Sequence, residues 1–208
     1  MSKITKMTES VVQEQAIPYL AKPKTKITSY IKWETFEKKY LDREDGFKYE
    51  WNNGVIEKTI PTMRSKQLYI VNNLINFFVS LKVKGLTSGL LTQEADVFLN
   101  STRHRKPDIA YISDEQLKIA RQTDNFIPAF VIEIISPTDK AYIVQEKVSE
   151  YLKAGVKVIW HIYPNLEEVQ CFYSDRAFVT CKDEMVCSAE IAIHGFAMTA
   201  TDIFKEIE

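Results

Sequence analysis

The stretch "PAFVIEIISPTDK", Pro128–Lys140, runs apolar from Ala129 to Ile135 with a single carboxylate, Glu133. Such continuity predicts a strand covered on both faces, inside a sheet and not at its edge. An ionised acid in that setting is costly unless it is paired or bound to a cation. Upstream, "RHRKPDIAYIS", Arg103–Ser113, reads in the same way, as an apolar strand with one acid, Asp108. If the two strands are neighbours, Asp108 and Glu133 project together and form an oxygen-rich site suited to Mg²⁺ or Mn²⁺. The alternative is a Glu133 that is protonated, or paired with an Arg or Lys from another element.

The next segment, "DKAYIVQEKVSEYLKAG", Asp139–Gly155, has helical periodicity. At about 100° per residue, Ala141, Val144, Val148, Tyr151 and Leu152 share a stripe, with Lys147 at its margin between Ile143 and Tyr151. The helix is expected from about Lys140 to Ala154, closed by Gly155, with Asp139 as its candidate cap. Lys147 leans toward the sheet, where it either snorkels over apolar surface or stands over the two acids. In the second position it can orient a water or stabilise charge on a phosphate.

Working outward, residues 1–26 mix Lys, Thr, Glu and Pro without periodicity and read as a flexible N-terminal arm, which leaves 27–208 as one domain. "SYIKWETFEKKYL" predicts a short amphipathic helix starting near Thr28 or Ser29, and "FKYEWNNGVIEKTI" a hairpin around Asn-Asn-Gly, with Glu50 in its first strand. "TMRSKQLYIVNNLINFFVSLKVKG" has Leu68, Val71, Leu74, Ile75, Phe78 and Leu81 at helical spacing, with Gly85 as the stop. "LLTQEADVFLN" and "KPDIAYI" read as strands joined by the turn "STRHR". "KVIWHIY" is another interior strand. "EEVQCFYS", "AFVTC" and "AEIAI" read as an antiparallel set, and "TATDIFKEI" as a last helix capped by Thr201 or Thr199. This order predicts an α/β architecture, a mixed central sheet flanked by helices with additional antiparallel strands.

The totals narrow the function. A chain of 208 residues, 45% apolar and 26% charged, is that of an ordinary globular domain. No apolar run is long enough to span a bilayer and "MSKITKMTES" lacks a signal-peptide core, so no membrane association and a cytoplasmic location are expected. Cys171, Cys181 and Cys187 are odd in number and form no CxxC pair, which suggests buried thiols in strands. His104, His161 and His194 are too scattered for a helical HExxH site. The net charge of -1 excludes a wholly basic surface but not a local basic groove. "RHRK", Arg103 to Lys106, is either such a groove beside Asp108 or a solvated charge run.

Taken together, Glu50 in "YEWNNG", Asp108 in "KPDIAYI", Glu133 in "VIEIISPTD" and Lys147 in "EKVSEYLKAGVKVIW" resemble the Uma-two family of restriction-endonuclease-type proteins, a branch of the PD-(D/E)xK nuclease superfamily. The likeness runs from about Trp33 to Phe204. It implies a restriction-endonuclease-like core and Mg²⁺- or Mn²⁺-dependent hydrolysis of phosphodiester bonds in DNA, with RNA left open. Asp108 and Glu133 would hold the metal, Glu50 would add a further acid, and Lys147 would be the catalytic lysine. Arg64, Arg103, Arg105 and Lys106 are the candidate phosphate contacts. In the usual motif the lysine lies two residues after the acid, where this chain has Ile135, so the role moves to the helix. Relatives often carry a His in the loop after the hairpin, where this chain has Arg64 and Ser65. Cutting both strands of a duplex implies a homodimer. A catalytically idle binding or assembly module on the same fold is the competing reading.

Overall fold

The computed structural model describes residues 30–59, 65–120 and 126–206. The apolar run around Glu133 forms β7, Phe130–Ile134, which lies inside a six-stranded sheet. Its companions are β3 (Leu90–Gln93), β6 (Ile109–Ile112), β8 (Val158–Tyr163), β9 (Glu168–Tyr173) and β10 (Phe178–Lys182), in the order β10-β9-β8-β7-β6-β3. Only β7 and β8 run parallel; the other pairs are antiparallel. The parallel pair needs a crossover, and α4, Ala141–Ala154, supplies it before ending at Gly155 as expected.

Alternation along these strands builds two cores. Phe130, Ile132, Trp160 and Ile162 face α2 (Ser65–Val83) and the short α5 (Ala200–Phe204), against Ile70, Leu74, Phe78 and Ile203. Val131 and Ile159 face the other way, onto Val148 and Tyr151 of α4. Burying each large apolar side chain contributes about 1.5–3 kcal/mol, so both faces of β7 and β8 hold the sheet rigidly.

A second, four-stranded antiparallel sheet lies beyond α4. It is formed by β1 (Lys48–Asn52), β2 (Val55–Thr59), β4 (Val97–Asn100) and β5 (Arg103–Arg105), in the order β2-β1-β5-β4. The β1–β2 turn is Asn53-Gly54 with φ of 48° and 84°, the left-handed pair that a two-residue hairpin requires. Tyr49 and Trp51 point to one side, packing with Phe36 of α1 (Trp33–Phe36), which continues as a π-helical turn to Leu41. Lys48 and Glu50 therefore point to the other side, toward α4 and the main sheet.

Several expectations change. "LLTQEADVFLN" is not one strand: the chain leaves β3 at Glu94, whose φ is +50°, and enters the second sheet as β4. "STRHR" is not only a turn, because Arg103–Arg105 forms β5. "AEIAI" is not a strand; the pairing segments are β11 (Val186–Ser188) and β12 (Ala197–Thr199). The first helix starts at Trp33, and Thr28 and Ser29 lie outside the described residues, as does the proposed arm. Leu68 is exposed on α2, whereas the other positions of its stripe pack inward. Asp139 does not cap α4: its Oδ2 accepts the Ser136 N–H at 2.8 Å and closes the "SPTD" turn. Thr199 does cap α5, accepting the Asp202 N–H at 3.1 Å. An unanticipated helix, α3 (Asp114–Ala120), starts at a reciprocal Ser113–Gln116 capping box.

Candidate active site

The β6–β7 register, Ile109 opposite Ile132, carries on by one residue to set Asp108 beside Glu133. The backbone N–H of Ile134 donates to Asp108 Oδ2 at 2.7 Å and locks the two strands at this point. On the other side of Glu133, its β8 register partner is His161. From above, α4 delivers Lys147, whose Nζ lies 3.2 Å from Glu133 Oε1 and 3.0 Å from Glu50 Oε2. Tyr151, one helical turn further, donates its O–H to the same Glu133 Oε1 at 2.7 Å. Asp108, Glu133, Glu50 and Lys147, singled out from sequence, thus converge from three strand segments and one helix.

Lys48 was not singled out, and it belongs to the same cluster. Its Nζ donates to Asp108 Oδ1 at 2.8 Å, with the side chain only 9% exposed. Among the described residues, Glu50, Asp108 and Glu133 do not bring three carboxylate oxygens within 4.8 Å of one another. The two lysines stand between them instead.

The charges are unevenly balanced. Burial opposes ionisation of Glu50, but Lys147, Lys48, Arg105 and the Lys106 N–H outweigh it and bring the carboxyl down to about 2. Glu133 goes the other way: burial raises its pKa, Asp108 and Glu50 add to the rise, and the lysines offset only part of it. Burial lowers both lysines, but Glu133 and Glu50 at Lys147, and Asp108, Glu133 and Glu50 at Lys48, raise them above the ordinary value. Both ammonium groups are therefore proton-bearing at neutral pH. Burial and Lys147 push His161 down to about 4, so it is neutral, and its buried Nε2 has no hydrogen-bond partner.

Asp108 and Glu133 suit a hard divalent cation. Both are oxygen donors, Asp108 immediately before β6 and Glu133 on the neighbouring β7, and Asp108 keeps a 30% exposed side chain.

A family model described as "Putative restriction endonuclease" (Uma2) matches residues 33–201. The chain belongs to the Uma2 family. It is also similar in fold to a solved structure described as a "putative nuclease belonging to DUF820" from Anabaena variabilis, at 20% identity and a TM-score of 0.69, covering 84% of this chain and 97% of that one. No curated protein matches the chain. Membership in Uma2 makes this a restriction-endonuclease-like, nuclease-class chain, of a family type that generally uses divalent metals. Among the described residues, no helix is long and apolar enough to cross a membrane.

Within this Uma2 chain the proposed phosphate contacts separate. Arg105 is corrected: it is fully buried and committed to acids, with Nη1 2.6 Å from Glu57 Oε2 and 3.4 Å from Glu50 Oε2, and Nε 2.7 Å from Glu150 Oε2. Arg103 is partly exposed, but its Nε also engages Glu150, at 2.7 Å. Lys106 is partly exposed and lies 3.5 Å from Asp96. Arg64 lies outside the described residues. Alternation held the signal for Lys48 and Arg105: Lys48 shares its strand face with Glu50, and Arg105 shares its own with Arg103.

Proposed function

We propose that this Uma2 chain is a metal-dependent DNA endonuclease, with Asp108 and Glu133 holding Mg²⁺ or Mn²⁺ and Lys147 as the lysine of the site. The observation that carries this reading is the convergence of Lys48 and Lys147 on Asp108, Glu133 and Glu50, a costly cluster of buried charge beside one half-exposed acid. A bound divalent cation would polarise a non-bridging phosphate oxygen and make a bound water more acidic.

The chain's own residues set the rest. Lys147 and Lys48 keep their protons at neutral pH, so they serve as donors to developing phosphate charge and not as bases. Glu50, held ionised, anchors Lys147 through both oxygens, at 3.1 and 3.0 Å. Tyr151 and Lys147 converge on Oε1 of Glu133, so Oε2 is the oxygen that would face the metal. Lys106 and Arg103, at the rim, would meet the DNA backbone. The enzyme would act as a homodimer in the cytoplasm, one site per strand of the duplex.

The competing reading is an idle nuclease-fold binding or assembly module. Lys48 favours it, because its ammonium already neutralises Asp108. The test is incubation of the chain with supercoiled plasmid, single-stranded DNA and RNA, with Mg²⁺, Mn²⁺ or a chelator, alongside Asp108→Asn and Lys147→Met. The nuclease predicts cleavage that needs the metal, is abolished by Asp108→Asn and falls about 10²–10³-fold in Lys147→Met. Intact DNA and RNA under every condition would leave the module as the function.

A further inference from the structure

On the opposite face of the main sheet, β9, β10 and β11 each contribute a buried cysteine, Cys171, Cys181 and Cys187. Among the described residues, these are the one group of three His, Cys, Asp or Glu side chains whose donor atoms all lie within 4.8 Å of one another. The register explains how a sequence without a CxxC pair achieves this. Cys171 sits opposite Val179 and Cys181 opposite Val169, so the two thiols are diagonal neighbours on one face. Cys187 then arrives from β11, with Met198 as its cross-strand partner on β12.

We propose that Cys171, Cys181 and Cys187 form a three-sulfur binding site for a soft monovalent ion of the Cu(I) class. Two features of the cluster select this ion. First, a sulfur-only donor set with a thioether nearby suits soft ions and excludes Mg²⁺, Ca²⁺ and Mn²⁺. Second, Zn²⁺ in a structural site takes four ligands, and no fourth His, Cys, Asp or Glu joins this cluster among the described residues. The thiols lie in an apolar core with Val169, Ala189, Ile193 and Phe196, and a bound ion displaces the proton of each thiol that it takes as a thiolate (Cu⁺ + HS–Cys → Cu–S–Cys + H⁺).

In the β10–β11 turn, Met185 and Val186 are exposed beside the buried Cys187. A bound ion would tie the three strands together at that corner.

The test is an anaerobic titration of the full chain with Cu(I) held by the chelator bicinchoninate, with Zn²⁺ in parallel, read by native mass spectrometry and copper X-ray absorption. The expected result is one copper per chain withdrawn from the chelator, a sulfur-only first shell, and weaker retention of zinc. Each of Cys171→Ala, Cys181→Ala and Cys187→Ala should weaken copper binding by more than the about 10- to 100-fold that outer-shell changes cost. DNA cleavage by these variants should match the parent, because Asp108 and Glu133 lie on the other face. If a variant does not fold, the absorption spectrum of the parent chain decides. Copper left on the chelator, nitrogen or oxygen in the first shell, tighter zinc than copper, or a purified chain lighter by two hydrogens through a disulfide would each overturn the proposal.

Discussion

Arg105 carries a full charge at 0% side-chain exposure, and Glu50, Glu57 and Glu150 surround it. Removing one partner of such a buried cluster leaves the others uncompensated, which costs more than the pairing itself contributed. Arg105→Met should therefore lower unfolding stability by about 3–5 kcal/mol in urea titrations, and a loss below about 1 kcal/mol would contradict the arrangement. Arg105→Lys should recover only part of that, because a single ammonium cannot span the carboxylates that Nε and Nη1 reach separately. His161 gives a pH signature of its own. Its folded pKa of about 4 lies below the ordinary 6.5, so the unfolded chain takes up the proton first. The stabilisation is whole above pH 6.5 and declines as pH falls toward 4. Relative to His161→Gln, the parent should lose about 3 kcal/mol across that window. Parallel stability curves for the two proteins would show that His161 does not titrate in this way.

At the scale of elements, the site depends on strand placement, and Gly89 is a point where it can be tested. Gly89 precedes β3, has φ +83°, and an added Cβ would lie 2.5 Å from the Ile112 carbonyl oxygen at the end of β6. Gly89→Ala should cost about 1–3 kcal/mol and loosen the β3–β6 pairing that leads to Asp108; hydrogen exchange at Ile109–Ile112 should speed up, and unchanged protection would refute the link. Much of this level was legible beforehand. The interior run of β7 and the 3.6-residue stripe of α4 set Glu133 and Lys147 face to face, and Asn53-Gly54 announced its hairpin. What was hidden was long-range. Nothing between Gln93 and Val97 signals that the chain changes sheets, because the apolar pattern resumes at once after Glu94. "RHRK" read equally as a phosphate-binding groove or a solvated charge run, because the acids that bury Arg105 come from β1, β2 and α4. Lys48 carries no local signal, because its partner Asp108 lies 60 residues away in the chain.

For the molecule as a whole, the two sheets divide the work. The main sheet supplies Asp108 and Glu133, the smaller one supplies Lys48 and Glu50, and α4 between them supplies Lys147. A metal bound at Asp108 must compete with the Lys48 ammonium 2.8 Å away. Removing that competitor should tighten divalent-ion binding even as it removes a donor to phosphate: Lys48→Met should bind Mn²⁺ more tightly than the parent while cleaving DNA more slowly. Weaker binding in that variant would mean that Lys48 supports the metal site and does not occupy it. Whether Asp108 and Glu133 form one divalent-metal site is decided by a calorimetric titration of Mn²⁺ into the parent chain, Asp108→Asn and Glu133→Gln. Saturable binding to the parent and its loss in both variants are expected. Equal binding to all three, or no binding to a parent that still cleaves DNA, would contradict the shared site.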